Sequence, residues 1–308
     1  MEQSQRKYFS RSWAMLTRDK GWIKPLLVLA AAMFVPVVGA LGLLGYGLEW
    51  ARLSAWGIDA APKQRNVQVG ACISAGWRAF VVGFVWWLPV WVILGVVQVP
   101  LFPALGITSW YDNSALGLVV SLISLFWALI VIVAQLRTTV YGKISAGLMP
   151  HRVFEMVSTD FPHLAKIALI HLVGGLILWA IAMVAFVATI VMAGSRIWDM
   201  IYLSNIVGDA AYSDGGALFV SMVLSVLAIG LPVFLIALYV AFVVLSAVNL
   251  LSQNSVGLWM RQFDVPRWGG PAEPLPAREG LPEPGPVSKD PSPNHPDETF
   301  GEGPITRG

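Results

Sequence analysis

The chain has 308 residues, 56% of them hydrophobic and 12% charged, with a mean hydropathy of +0.69. A soluble domain carries roughly 25% charged residues, so the composition excludes a soluble globular protein and a disordered one, and predicts an all-α, polytopic membrane protein. The net charge of +2 is uneven: residues 1–263 hold 16 Lys/Arg against 10 Asp/Glu, and residues 264–308 hold 4 against 8.

Residues 1–24 predict a cytoplasmic, interfacial segment. Phe9, Trp13 and Leu16 recur at helical spacing, among Arg6, Lys7, Arg11 and Arg18. A basic amphipathic helix on the inner leaflet fits that pattern. Val38-Gly39-Ala40 faintly resembles a signal-peptide cleavage site. The polar region before it and the apolar region around it are both too long for one.

Residues 25–263 form the membrane domain. Five stretches lack Asp, Glu, Lys and Arg: 25–48, 79–111, 113–136, 167–195 and 215–260. About 20 apolar helical residues cross the hydrocarbon core, so each is long enough. Ile73, Trp77 and Phe80 precede the second run at helical spacing, and Phe154, Val157 and Phe161 precede the fourth. With residues 9–16 these predict one basic cytoplasmic collar.

Positive side chains collect on the cytoplasmic side of short loops. If all five runs cross once, the near-membrane Lys and Arg divide 7 against 10. If the first run enters and returns, they divide 16 against 1, the single one being Arg196. Run 25–48 can turn back. Pro36 removes a helical hydrogen bond, and Gly39 and Gly42 permit unusual backbone angles. The expectation is four transmembrane helices plus a re-entrant N-terminal hairpin, in a bacterial inner membrane with both termini cytoplasmic. One kinked crossing is the alternative. In the fifth run Gly230 and Pro232 predict a kink, and Asn249, Ser252, Gln253 and Asn254 are expected to leave the membrane.

Residues 264–308 hold 11 of the 20 prolines and 8 acids. Such a segment cannot bury enough apolar surface to offset ordering entropy, so a disordered, acidic cytoplasmic tail is expected. Its P-x-x-P spacings at Pro271–Pro274 and Pro293–Pro296 would suit a protein partner.

Chemistry is sparse. There is no phosphate-cradling G-x-x-x-x-G-K-[ST], no H-E-x-x-H and no zinc-type cysteine pair. The single cysteine, Cys72, permits no intrachain disulfide. His151 and His163 read as solvated loop residues. The candidates for function are Pro36 and Gly39 in the broken run, Glu49 with Arg52 one turn on, and His171 near the start of the fourth run. An ionisable residue within a membrane defaults to a functional hypothesis; for His171 neutral packing is the bland alternative. Gly39, Gly42 and Gly45, and Gly174-Gly175, suit close helix packing. Trp22, Trp50, Trp110 and Trp259 suit interfacial belts.

Several ordered pieces resemble the bacterial membrane-protein family known as domain of unknown function 4013. They run from Phe9-Ser10 through Arg18-Asp19-Lys20-Gly21-Trp22-Ile23-Lys24-Pro25-Leu26-Leu27, Val35-Pro36-Val37-Val38-Gly39 and Gly45-Tyr46 with Glu49 and Arg52, to Gly76-Trp77-Arg78-Ala79-Phe80 and Leu88-Pro89. The resemblance covers about residues 7–184. It implies the architecture and carries no activity. Ala61–Asn66 and Tyr141–Lys143 lack acids the family often has there.

The expectation is a non-enzymatic membrane scaffold or interaction protein, without cofactor, metal or nucleic acid. Its partners would be anionic headgroups and a protein for the tail. The alternative is a small-solute transporter or channel whose broken hairpin lines the site.

Overall fold

A computed structural model describes residues 7–207, 215–263 and 265. These residues form nine α-helices and no strand. They are α1 (Tyr8–Leu16), α2 (Ile23–Ala32), α3 (Pro36–Ala55), α4 (Val69–Leu105), α5 (Ser114–Tyr141), α6 (Ile144–Gly147), α7 (Pro150–Thr159), α8 (Phe161–Val207) and α9 (Gly215–Met260). A 3-10 turn, Arg261–Phe263, follows α9. Four segments are long and apolar enough to cross a membrane: Val69–Leu105, Ser114–Tyr141, Phe161–Val191 and Gly230–Phe263. The expected tail lies outside the described residues, apart from Val265.

The first apolar run is broken. α2 stops at Ala32, and Pro36 takes the first position of α3. Its missing N–H costs nothing there, because that group has no intrahelical partner. Gly39 lies so close to the Ala32 carbonyl that no Cβ would fit. The ten residues of α2 span about 15 Å, about half of a hydrocarbon core. The two ends of the run then meet. Arg11 pairs with Asp59 at 3.0 Å, Arg18 donates to the Asp59 carbonyl at 3.1 Å, and Gly21 packs on the side chain of Gln64. The run is therefore a helical hairpin that returns to the end from which it starts.

Small residues place α3 at the centre. Gly45 faces α4, where Gly76 meets it, and each lies against the other helix's backbone. Gly47 and Ala51 sit one turn apart on another face and approach α9 at Gln253 and Gly257. Two residues of helix turn about 200°, so Gly45 and Gly47 look in nearly opposite directions. Without a hydrophobic drive between helices in lipid, close backbone approach supplies the packing. α4 and α5 are tied by Gln135 Nε2 donating to Ala79 O at 3.1 Å, beside Gly83, and by Trp127 Nε1 donating to Trp86 O at 3.0 Å.

Packing concentrates at one end of the bundle. The buried apolar side chains of α4, α5 and α8 fall between residues 75 and 90, 129 and 141, and 164 and 168, one face of each helix, and α9 is buried from Leu250 to Met260. The distant halves of these helices present Val96, Val119, Leu176 and Leu235 outward. The same packed end carries α1, the loop after α3, and α6–α7.

Several expectations are corrected. Leu16 is fully buried with Ser12 and Met15, whereas Phe9 and Trp13 face outward, stacked on each other. α1 thus has two apolar faces, one for α9 and one for its surroundings. Phe154 and Phe161 are exposed while Val157 enters the core. Trp50 and Trp259 are core residues, 3% and 0% exposed, and not belt residues. α5 continues through Arg137 to Tyr141. His151 and His163 lie on α7 and α8, not in a loop.

Candidate functional site

The last turns of α9 form a polar seam inside the packed end. Ser252, Gln253, Asn254 and Ser255 are each at most 2% exposed. Four successive helical residues point 100° apart, so α9 is enclosed on every side here. The seam stays helical and is buried inside the bundle. A buried amide requires partners, and α1 and α3 supply them. Ser54 Oγ donates to Asn254 Oδ1, Asn254 Nδ2 donates to Ser12 Oγ at 3.1 Å, and Ser12 Oγ donates to Leu251 O at 3.2 Å. Gln253 packs against Gly47, where only a glycine leaves room. Among the described residues, Gln253 Oε1, Ser246 Oγ and Ser255 Oγ have no hydrogen-bond partner.

The candidates from sequence are scattered. Glu49 and Arg52 are together, 3.5 Å apart on one face of α3, with Arg52 1% exposed. His171 Nδ1 lies 3.4 Å from Ser252 Oγ, at the edge of the seam. Below it Gly174 admits Val248, so α8 and α9 are closely apposed. Pro36 and Gly39 are elsewhere. They lie at the tip of the hairpin, about 20 Å and about 15 Å along α3 from Glu49 at 1.5 Å per residue. The tip Met33–Val38 carries no polar side chain.

Three further centres at the same end escape a sequence reading. Arg137, 1% exposed, donates from Nε to Ala146 O at 3.1 Å and stacks on Tyr141 at 5.2 Å. It pins α6 beneath α5. Asp160, between α7 and α8, accepts from Trp259 Nε1 at 3.2 Å and Gln262 Nε2 at 2.8 Å, and it faces His163 Nδ1. Tyr8 packs edge-on against His163 and donates to Gln262 Oε1. Asp59 gathers Arg11, Arg18 and Arg261. Only an apolar run interrupted by Ser-Gln-Asn-Ser signals the seam in sequence. Among the described residues no group of three His, Cys, Asp or Glu is placed to hold a metal ion.

This arrangement joins elements: hydroxyl, amide and guanidinium groups connect α1, α3, α8 and α9. Helical content, span-length apolar helices and the returning hairpin define a multi-helix membrane protein. The chain belongs to the family described as "Protein of unknown function (DUF4013)", whose profile matches residues 28–193. The match runs from α2 into α8. It takes in Pro36, Gly39, Glu49, Arg52 and His171. It leaves out Phe9-Ser10 and Arg18–Leu27, which the resemblance included, and also Ser12 and all of α9. No curated protein and no solved structure matches the chain.

Proposed function

We propose that this is a non-enzymatic membrane scaffold whose packed, charged end is a rigid cytoplasmic platform. One observation carries the reading: Ser12, Ser54 and Asn254 link α1, α3 and α9 inside that end, while Lys63, Arg65 and Lys143 stand exposed on it. Buried hydrogen bonds that join three helices hold them in one arrangement. Exposed cations on a fixed frame suit partners and anionic headgroups. The charge rule favours the cytoplasm for this end and places the turn 106–113 outside, in a bacterial inner membrane. The acidic, Pro-rich tail departs from the same end, since Tyr141 donates to Val265 O, and is suited to a protein partner. The transporter reading draws no support from the apolar hairpin tip.

Photo-crosslinkers at Arg65, Lys143 and Arg152, compared with Val97 and Val119, test the reading in native membranes. Discrete protein adducts confined to the first set are expected. Saturable solute uptake by proteoliposomes, lost on Asn254→Ala, would replace it with transport. Maleimide labelling of Lys63→Cys, Lys143→Cys and Asp112→Cys in a Cys72→Ser background tests orientation. The first two should label from one side and the third from the other.

A further inference from the structure

Asp59 stands in the loop after α3 with three guanidiniums around it, each from a different element. Arg11 of α1 reaches both carboxylate oxygens, at 3.2 and 3.0 Å. Arg261, just beyond α9, reaches Oδ1 at 3.1 Å. Arg18, between α1 and α2, donates to the Asp59 carbonyl at 3.1 Å. Gly57, with φ +84°, lies beside the Arg261 guanidinium. One carboxylate cannot neutralise three guanidiniums. The surplus is not buried: the side chains of Arg11, Asp59 and Arg261 are 31, 49 and 42% exposed.

The surroundings add charge and an apolar rim. Lys20, Lys63 and Arg65 are exposed on the same two connecting segments and Lys24 on the first turn of α2, against the single further acid Asp19. Phe9 and Trp13 are exposed on α1, and Trp13 meets Trp22 edge-on at 5.9 Å. Aromatic side chains prefer the headgroup level of a bilayer. A planar guanidinium fork matches carboxylate and phosphate oxygens alike. The seat held by Asp59 is therefore one that a phosphate can hold as well.

We propose that Arg11, Arg18 and Arg261 form a binding site for the phosphate of an anionic phospholipid headgroup, with Asp59 as a built-in carboxylate that the headgroup displaces. In the empty site Asp59 fastens its loop to α1 and to the end of α9. In the occupied site the phosphate bridges the arginines, and the Asp59 carboxylate swings to solvent. The assignment rests on the orientation proposed above, which puts this rim at the inner leaflet.

The test is calorimetric titration of the detergent-solubilised full chain with dihexanoyl phosphatidylglycerol, dihexanoyl phosphatidylcholine and inorganic phosphate, at fixed low salt. Saturable binding of phosphatidylglycerol is expected, with phosphatidylcholine and inorganic phosphate much weaker. R11Q and R261Q should each weaken it about fivefold, near the usual share of one basic residue at a lipid surface. D59N should tighten it about fivefold by removing the competitor, while D19N, which makes the same change in net charge, shifts it less than about twofold. Thermal unfolding of each variant separates loss of the site from loss of fold.

Binding indifferent to R11Q and R261Q in folded protein would overturn the site. Weaker binding in D59N would overturn displacement. Inorganic phosphate binding as tightly as phosphatidylglycerol would overturn the lipid assignment. Binding seen only after Glu273, Glu279 and Glu283 are changed to Gln would make the acidic tail the occupant and overturn it too. Labelling of Lys63→Cys from the outside would sink the scaffold's orientation, and leaves the calorimetric result to stand or fall by itself.

Discussion

Gly45 and Gly76 meet backbone to backbone where α3 crosses α4. A Cβ on Gly45 would fall on the Cys72 carbonyl, and one on Gly76 on the Leu41 carbonyl. Neither neighbour is a flexible side-chain end, so the helices themselves would have to part. Gly45→Ala and Gly76→Ala should each destabilise the protein by about 2 kcal/mol or more, the range for overpacking a close contact. Gly42 is the control, because nothing lies within 4 Å of a Cβ there. Gly42→Ala should leave thermal unfolding in detergent unchanged.

The hairpin was legible because two independent signals agree on it: the Pro36 break, and a charge count that becomes one-sided only if the run returns. The Glu49–Arg52 pair was legible because both residues lie on one helix turn. The seam was not. Ser12 and Asn254 are 242 positions apart, and no local pattern announces that pairing. Charge usually ends an apolar run, so the burial of Arg137 and Arg52 carries no signal in the sequence. Here the helices continue, and Ala146 O, Tyr141 and Glu49 receive the guanidiniums inside the protein. α1 defeats a single-face reading because its small Ser12 is the residue that points inward.

Asn254 is the hinge of the seam, since it accepts from Ser54 and donates to Ser12. Asn254→Ala strands the buried Ser54 hydroxyl and removes a donor from Ser12, which keeps Leu251 O, and should cost about 1–3 kcal/mol. Ser54→Ala and Asn254→Ala should be non-additive by about 0.5–3 kcal/mol in a double-mutant cycle. Additive losses in unfolding free energy would show that the contact carries no coupling.

Arg137 is held by geometry as well as charge. Its Nε reaches Ala146 O, and its plane lies over Tyr141. A lysine keeps the charge but cannot offer a planar fork. Arg137→Lys should therefore destabilise by about 1.5–3 kcal/mol, the range for a hydrogen bond from a charged group. Arg152, whose side chain is 39% exposed and pairs with Glu155, is the matched comparison. Arg152→Lys should stay within about 0.5 kcal/mol. Equal effects in thermal unfolding would contradict the assignment of α6 to the Arg137 anchor.

Asp112 orders the turn between α4 and α5. Its carboxylate accepts from Thr108 N at 2.6 Å, Thr108 Oγ1 at 2.8 Å and Ser109 N at 2.8 Å. These donors, the Thr108 amide foremost, hold its pKa below the ordinary carboxylate value. A depressed pKa contributes order that is complete above the unfolded value and is lost as pH falls through the folded one. The turn should then keep the Thr108 and Ser109 amides protected from hydrogen exchange at neutral pH, and release them only once the pH drops below the range in which a free aspartate titrates. Asp112→Asn should remove that acid step and lower protection at neutral pH, while the buried seam at Asn254, at the opposite end of the bundle, exchanges as before. Release of the two amides at the pH of an ordinary carboxylate would show that Asp112 does not hold the turn.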